Sequence, residues 1–258
     1  MKIKLLPSTI DADGRATPEQ RLSCFVIDDR VALDAGSIAI SLSDSQRETV
    51  RDVIVTHPHM DHIATLPIYV DDLFATLTEP VRVHATEEVI RMLERDVFNG
   101  TVYPPFHKFS NERTRVMEFV TLEPFRPARV AHLTVTPVPV HHIVPTVGLV
   151  LTDGRATVGF SSDTSATEEF WHVVNREPRV DALLIEASFP NSLAKLADVS
   201  GHLTPDALGR ELSKLAHRDL DILAMHLKPS FRLRLIEELE ALGVPRLSVM
   251  EPGREYEW

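Results

Sequence analysis

The sequence DVIVTHPHMDHIATLP, residues 52–67, joins an apolar run to a dense group of polar side chains. Its first five residues predict a short buried strand. Directly after them come four side chains of metal-binding type: His57, His59, Asp61 and His62. A strand end holds such side chains in fixed directions, and imidazole and carboxylate suit zinc and other first-row metals. Four donors within six residues therefore predict a metal site rather than four unrelated surface side chains.

Two further donors stand in the same relation to an apolar run. Asp163 follows ATVGF (156–160), and His226 follows DILAM (221–225). Considered alone, Asp163 is better explained as a helix cap and His226 as a buried core histidine. Ligand sites in α/β proteins lie at the carboxyl ends of strands. The three segments together therefore favour one shared site.

Short apolar runs alternate with helical patterns along the chain, which predicts an α/β fold of two mixed sheets flanked by helices. We expect strands within 21–29 and 31–36 and at 52–56, 81–85, 128–140, 147–151, 156–160, 181–187, 221–225 and 247–250. Helices are expected at 64–77, 86–97, 166–175, 205–217 and 231–242. Asp153-Gly154 predicts a hairpin, and Thr204-Pro205 predicts a helix start. One domain over 1–258 follows as the expectation.

The composition limits the class of function. With 43% hydrophobic and 25% charged residues the chain has a globular composition. Its net charge of −11 disfavours a long nucleic acid as partner, because cationic side chains supply most of that affinity. No apolar run approaches the ~18 residues of a membrane span. The one cysteine, Cys24, excludes an internal disulfide, so we expect a cytoplasmic protein.

The least regular segment is 99–113, NGTVYPPFHKFSNER. A loop of this length in a compact domain is often a functional lid. The loop offers Tyr103, Phe106, His107 and Phe109 for stacking on a base, and we expect the first three to contact the substrate. The alternative is that the aromatic rings only pack the loop onto the body. Alternatively, this loop and residues 1–20 form the interface of a homodimer.

The motif HPHMDH, with Asp34-Ala35-Gly36 before it and a histidine, an aspartate and a final histidine after it, resembles the metallo-β-lactamase superfamily. The likeness covers nearly the whole chain. Within the superfamily, THPHMDHIATLP, VDDLF, ATEEVI, FNGTVYPPF, VGFSSDT, EASFPN and GHLTP are similar to class II 3′,5′-cyclic-nucleotide phosphodiesterases, with ribonuclease Z as the nearest relative. The resemblance implies the αββα sandwich of the superfamily, two mixed sheets flanked by helices.

The same resemblance implies a centre of two divalent ions, with Zn²⁺ as first choice and Mn²⁺ or Fe²⁺ as alternatives. It assigns each donor to an ion: His57 and His59 to the first, Asp61, His62 and His226 to the second, and Asp163 to both. The remaining ligand of the first ion is His141 or His142. In the phosphohydrolases that the sequence resembles, the ligand stands three residues before a proline, here Pro145, which favours His142. His141 would then either support a ligand or face the substrate.

Three further roles follow. Asp34 is expected to support a ligand imidazole from behind, as carboxylates around metal sites do. Asp61, as a metal ligand, and His202, in GHLTP, are the candidate catalytic residues. His202 precedes a predicted helix start, where it can bind a phosphate oxygen or protonate a leaving oxygen.

The implied reaction is hydrolysis of a 3′,5′-cyclic nucleotide such as cAMP to a 5′-monophosphate by a hydroxide that bridges the two metals. An aspartate in place of a bridging cysteine favours phosphoester chemistry, although a thioester would also fit. One alternative is a ribonuclease Z-like RNA phosphodiesterase, which would need a basic arm that the sequence lacks. Another is a non-catalytic cyclic-nucleotide-binding metalloprotein, which would be expected to have lost a donor.

Overall fold

The computed structural model describes residues 1–258, and the chain divides into two compact units. The amino-terminal unit contains residues 2–123 and 252–257, and the carboxy-terminal unit contains residues 1, 124–251 and 258. Each unit contains one seven-stranded mixed sheet and its helices. The expected α/β class with two mixed sheets is confirmed. A single domain over 1–258 stays a prediction.

The sheet of the amino-terminal unit is parallel in its second half. Its strands are β1 (Lys2–Leu5), β2 (Phe25–Ile27), β3 (Val31–Leu33), β4 (Asp52–Ile54), β5 (Val81–Ala85), β6 (Met117–Thr121) and β14 (Glu255–Glu257). They lie in the order β14-β1-β2-β3-β4-β5-β6, with antiparallel pairs up to β3 and parallel pairs from β3 to β6. Every residue of β3 and β4 is buried, as expected for parallel strands covered on both faces.

Of the two helices predicted in this unit, the one at 64–77 is shorter in the structure, and the one at 86–97 is helical to its end. The helices of the unit are α1 (Ile38–Ser41), α2 (Asp44–Thr49), α3 (Met60–Ile63), α4 (Leu66–Leu73) and α5 (Glu87–Met92). A π-helical turn, Leu93–Val97, continues α5. Thr86 caps α5, since its hydroxyl accepts from the Val89 N–H at 3.4 Å. α1 and α2 were not expected from the sequence.

The carboxy-terminal sheet changes from antiparallel to parallel at its centre. Its strands are β7 (Ala128–Val130), β8 (Leu133–Pro139), β9 (Val147–Thr152), β10 (Thr157–Phe160), β11 (Ala182–Glu186), β12 (Asp221–Met225) and β13 (Leu247–Val249). β7 to β10 pair antiparallel and β10 to β13 pair parallel. One strand over 128–140 is wrong, because Ala131 turns the chain with a φ of 49° and makes a hairpin.

Four helices complete this unit: α6 (Glu169–Val174), α7 (Ala194–Ser200), α8 (Pro205–Leu212) and α9 (Arg232–Ala241). The predicted start of α8 is confirmed, since the Thr204 hydroxyl accepts from the Ala207 N–H at 3.3 Å and Pro205 is the first helical residue. α7 was not expected and ends at Gly201, whose φ is 70°. None of the helices in the chain combines the length and apolar character that crossing a membrane requires.

Gly36 allows the end of β3 to approach the donor-rich turn closely. A Cβ at Gly36 would lie 2.0 Å from the Asp61 carbonyl oxygen and 2.8 Å from the Ser23 nitrogen. The Ser23 N–H donates to that same Asp61 carbonyl at 2.8 Å, and the Gly36 N–H donates to the Ser23 carbonyl at 2.8 Å. A side chain at Gly36 would therefore break the backbone contacts that position Asp61.

We expect Gly36→Ala to lower the free energy of unfolding by about 3 kcal/mol or more, because the added methyl meets backbone atoms that cannot rotate away. Gly154→Ala is the matched control. Its Cβ would meet nothing within 4 Å, and only its φ of 87° opposes the change, by roughly 1–2 kcal/mol. Equilibrium denaturant unfolding measures both variants. Equal losses would contradict the role given to close approach.

Candidate metal centre

The turn between β4 and α4 gathers four donor side chains in the amino-terminal unit. The ring centroids of His57 and His59 lie 4.9 Å apart with the rings nearly perpendicular, and those of His57 and His62 lie 4.0 Å apart. Nε2 of His62 is 3.8 Å from Oδ2 of Asp61. His57 and His62 are buried, whereas His59 and Asp61 are partly exposed. The four predicted donors thus form one cluster of side chains in this turn.

Asp34 supports this set from behind. Its Oδ2 lies 2.6 Å from Nδ1 of His62, and its Oδ1 accepts from the Thr56 N–H at 2.9 Å and the Thr56 hydroxyl at 3.0 Å. The Thr56 hydroxyl also lies 3.0 Å from Nδ1 of His57. With Nδ1 held in this way, each imidazole is oriented to present Nε2 to a metal. Asp34 therefore occupies the buttressing position that the sequence analysis gave it.

The carboxy-terminal donors follow the two parallel strands that lie on either side of β11. Asp163 follows β10 and His226 follows β12, and Oδ2 of the first lies 3.5 Å from Nε2 of the second. His142, Asp163 and His202 converge as well, with their ligand atoms within 4.8 Å of one another. Asp163 is buried. A buried carboxylate with imidazoles around it has the surroundings that a bridging ligand needs.

The adjacent histidines 141 and 142 have different surroundings. Nδ1 of His142 lies 2.8 Å from the Gly201 carbonyl oxygen, so Nε2 is the nitrogen left to face Asp163. His141 is exposed, its Nδ1 lies 2.7 Å from the Ala166 carbonyl oxygen, and it belongs to no set of converging donors. The geometry therefore favours His142 as the ligand of the pair.

Glu186, the last residue of β11, is a further candidate site residue that the sequence reasoning missed. It has no exposed surface, and its Oε1 lies 2.7 Å from Nδ1 of His202. Its Oε2 accepts from the Ser188 hydroxyl at 2.8 Å, and that hydroxyl also lies 2.9 Å from Nδ1 of His226. The available signal was its place in EASFPN, at the end of a strand in the same manner as Asp163 and His226.

The neighbours of His202 favour its protonated form. It is 8% exposed and stacks on His226, with centroids 5.5 Å apart and an interplanar angle of 14°. Burial opposes the charged imidazolium, but the charge and the hydrogen bond of Glu186, with a smaller effect of Asp163, outweigh burial and raise the pKa of His202. Such a histidine holds its proton more tightly than a free imidazole and, with Nδ1 on Glu186, presents Nε2 for proton transfer.

The aromatic segment 99–113 packs mainly into its own unit. Phe106 is 2% exposed, with its ring 5.8 Å from that of Tyr103, so it offers no face to a base and the expected stacking by Phe106 is wrong. The Tyr103 hydroxyl donates to Asp71 at 3.3 Å, and His107 lies 5.3 Å from the Phe119 ring. Tyr103 and His107 keep partial exposure. Their contact with a substrate stays a prediction.

The residues present fit divalent metal ions. Nδ1 of four candidate ligands lies within 3.0 Å of an oxygen that fixes the ring: His57, His62, His142 and His226. The remaining donors are the imidazole of His59 and the carboxylates of Asp61 and Asp163. The only thiol, Cys24, is buried and donates to the Asp34 carbonyl. A set of imidazoles and carboxylates without thiolate suits zinc, manganese or iron.

Several known proteins are similar to this chain in sequence. A family model described as the beta-lactamase superfamily domain matches residues 35–226. The 3′,5′-cyclic-nucleotide phosphodiesterase 1 of Saccharomyces cerevisiae is 26% identical over 240 residues, covering 76% of this chain and 63% of that protein. The 3′,5′-cyclic-nucleotide phosphodiesterase of Aliivibrio fischeri is 24% identical over 209 residues, covering 72% and 62%. The chain thus spans less than two thirds of these relatives' length.

The solved structure of unliganded yeast PDE1 has the same fold. It matches with a TM-score of 0.77 and 20% identity, and the match covers 98% of each chain. The family model spans every donor from His57 to His226 and most of the chain. The chain therefore belongs to the metallo-β-lactamase superfamily of metal-dependent hydrolases.

Proposed function

We propose that this chain hydrolyses 3′,5′-cyclic nucleotides, such as cAMP, to 5′-monophosphates with the help of two divalent ions. The observation that carries the proposal is the buried pair of Glu186 and His202 beside Asp163, because phosphodiester hydrolysis needs both metal ligands and a proton donor. The names of the two curated relatives supply the substrate class.

The donor sets divide between two ions as the superfamily motif assigns them, with Zn²⁺ as first choice and Mn²⁺ or Fe²⁺ as alternatives. On that assignment one ion would be held by His57, His59 and His142 and the other by Asp61, His62 and His226, with Asp163 available to both. When bound, the ions supply an activated water and neutralise charge on the phosphate. Asp34, Ser188 and the Gly201 carbonyl hold the ligand imidazoles in place.

His202 protonates the oxygen that departs from phosphorus. Glu186 holds Nδ1 of the imidazole, so the transferable proton is on Nε2. For a 3′,5′-cyclic nucleotide the departing group is the 3′-oxygen, a poor leaving group that benefits from protonation. Tyr103, His107 and His141 stay the candidates for holding the rest of the substrate.

A ribonuclease Z-like activity on RNA is the second candidate. The net charge of −11 counts against it, since RNA binding depends on neutralising phosphates with cationic side chains. A metalloprotein that binds cyclic nucleotides without turnover is disfavoured by the complete donor set and the Glu186–His202 pair. A homodimer and a cytoplasmic location stay predictions.

An assay of the purified protein, with added Zn²⁺ or Mn²⁺, tests the proposal. The substrates are cAMP, cGMP, a short RNA and a bis(aryl) phosphate. We expect metal-dependent release of a 5′-monophosphate from at least one cyclic nucleotide. Cleavage of RNA with no turnover of either cyclic nucleotide would contradict the proposal, and binding without turnover would favour the non-catalytic alternative.

We predict that His142→Ala loses bound metal and that the neighbouring His141→Ala keeps it. Only His142 has Nδ1 fixed by the Gly201 carbonyl and lies among converging donors. Losing one ligand typically lowers metal affinity by more than the ~10–100-fold seen for outer partners. Metal content after dialysis, measured by plasma mass spectrometry, gives the comparison. The reverse order of loss would exchange the two roles.

We also predict that His202→Ala keeps its metals and its fold but loses at least ~10²-fold in kcat on a cyclic nucleotide. The loss should shrink on a nitrophenyl ester, whose leaving oxygen needs little protonation. Parallel kinetics on the two substrates, with metal content as control, measure this. Equal losses would indicate that His202 binds phosphate rather than donating a proton, and loss of metal would show that it is a ligand.

A further inference from the structure

Lys228 is a cation close to the His202 cluster that the proposed mechanism does not use. It follows His226 by two residues and precedes the single helical turn Pro229–Phe231. Its Nζ lies over the Phe189 ring, 5.3 Å from the centroid. The Phe189 ring in turn meets the His202 ring at 5.7 Å, edge to face. One aromatic ring therefore links the ammonium group to the candidate proton donor.

The Lys228 ammonium has no carboxylate partner in the structure. Lys214 of the same unit, by contrast, is held by Glu168 at 2.7 Å and by Glu211 at 2.8 Å. Lys228 is partly buried and is positioned by its contact with Phe189, a residue that also packs 6.2 Å from Phe231. A positioned cation without a counter-charge is available to an anionic ligand.

The groups around His202 carry negative charge, so a nearby cation would help an anionic ligand to bind there. Asp163 and Glu186 are buried carboxylates on this side of the unit, and both repel a phosphodiester. Lys228 opposes them: its charge lowers the pKa of His202, whereas both carboxylates raise it. Lys228 therefore adds a cation, beside His202 and the bound metal ions, that an approaching phosphate can meet.

We propose that the Lys228 ammonium binds a non-bridging phosphate oxygen of the substrate and of the product. The substrate class rests on the proposed function, whereas the anion-binding role does not. Lysine binds phosphate as a point charge, and a 5′-monophosphate carries more charge than a cyclic diester. Lys228 thus contributes more to the affinity for the product than to the affinity for the substrate.

Three variants isolate the charge. Lys228→Met keeps an apolar stem over Phe189 without the ammonium, Lys228→Gln is a second neutral variant, and Lys228→Arg keeps the cation. Lys195→Met is the matched control, because Lys195 is an exposed lysine of α7 without an ion pair. Metal content is measured for each variant, so a lost ion is not mistaken for a lost phosphate contact.

Calorimetric titration with inorganic phosphate and with 5′-AMP tests the proposal on protein saturated with Zn²⁺ or Mn²⁺. Both neutral variants should bind phosphate roughly 10- to 100-fold more weakly, the usual loss for a charge-assisted hydrogen bond. Lys228→Arg should keep most of the affinity, and Lys195→Met all of it. In steady-state assays the KM for cAMP should rise more than kcat falls.

Unchanged phosphate affinity in the neutral variants, with metals retained, would overturn the inference. A wild-type protein that binds no phosphate would overturn it as well. If cyclic nucleotides are not hydrolysed but the neutral variants alone weaken phosphate binding, the proposed substrate is wrong and the role of Lys228 stands.

Discussion

The buried carboxylate of Asp34 is the contact on which the donor-rich turn of the amino-terminal unit depends. A carboxylate with no exposed surface is strongly destabilising unless its oxygens accept hydrogen bonds. Here they are satisfied by the Thr56 N–H, the Thr56 hydroxyl and Nδ1 of His62. Asp34 also has a φ of 57°, a strained conformation that persists only where its surroundings enforce it. The hydrogen bonds from Thr56 and His62 therefore stabilise the buried Asp34 carboxylate, and the carboxylate in turn holds these two residues in place.

The carboxy-terminal unit uses the same arrangement with Glu186. Its oxygens accept from the Thr164 and Leu203 N–H groups at 3.0 and 3.2 Å, from the Ser188 hydroxyl, and from His202. Positive φ values recur nearby, at 54° for Ser162 and 60° for His226. Strain of this kind concentrates at functional sites. In each unit, then, a buried carboxylate orients an imidazole that the proposed reaction needs.

Part of the fold and of the candidate site is predictable from the sequence, because it depends on residues that are close together in the chain. The donors that follow β4, β10 and β12 are visible because each comes directly after an apolar run, and the Thr204 cap has a short-range cause. Other features depend on distant partners. β1 pairs with β14 at the far end of the chain, and neither short strand has a distinctive pattern. Tertiary contacts alone decide three further features. They set the direction of the Glu186 side chain, they distinguish His142 from His141, and they bury Phe106.

We propose that Asp163 is a ligand shared by two ions. The direct test is the metal content of wild type and Asp163→Ala after dialysis, measured by plasma mass spectrometry alongside turnover. We expect two ions per chain in the wild type, and at most one, with no turnover, in the variant, because the bridge between the ions is gone. Two ions retained with normal activity in Asp163→Ala would contradict it.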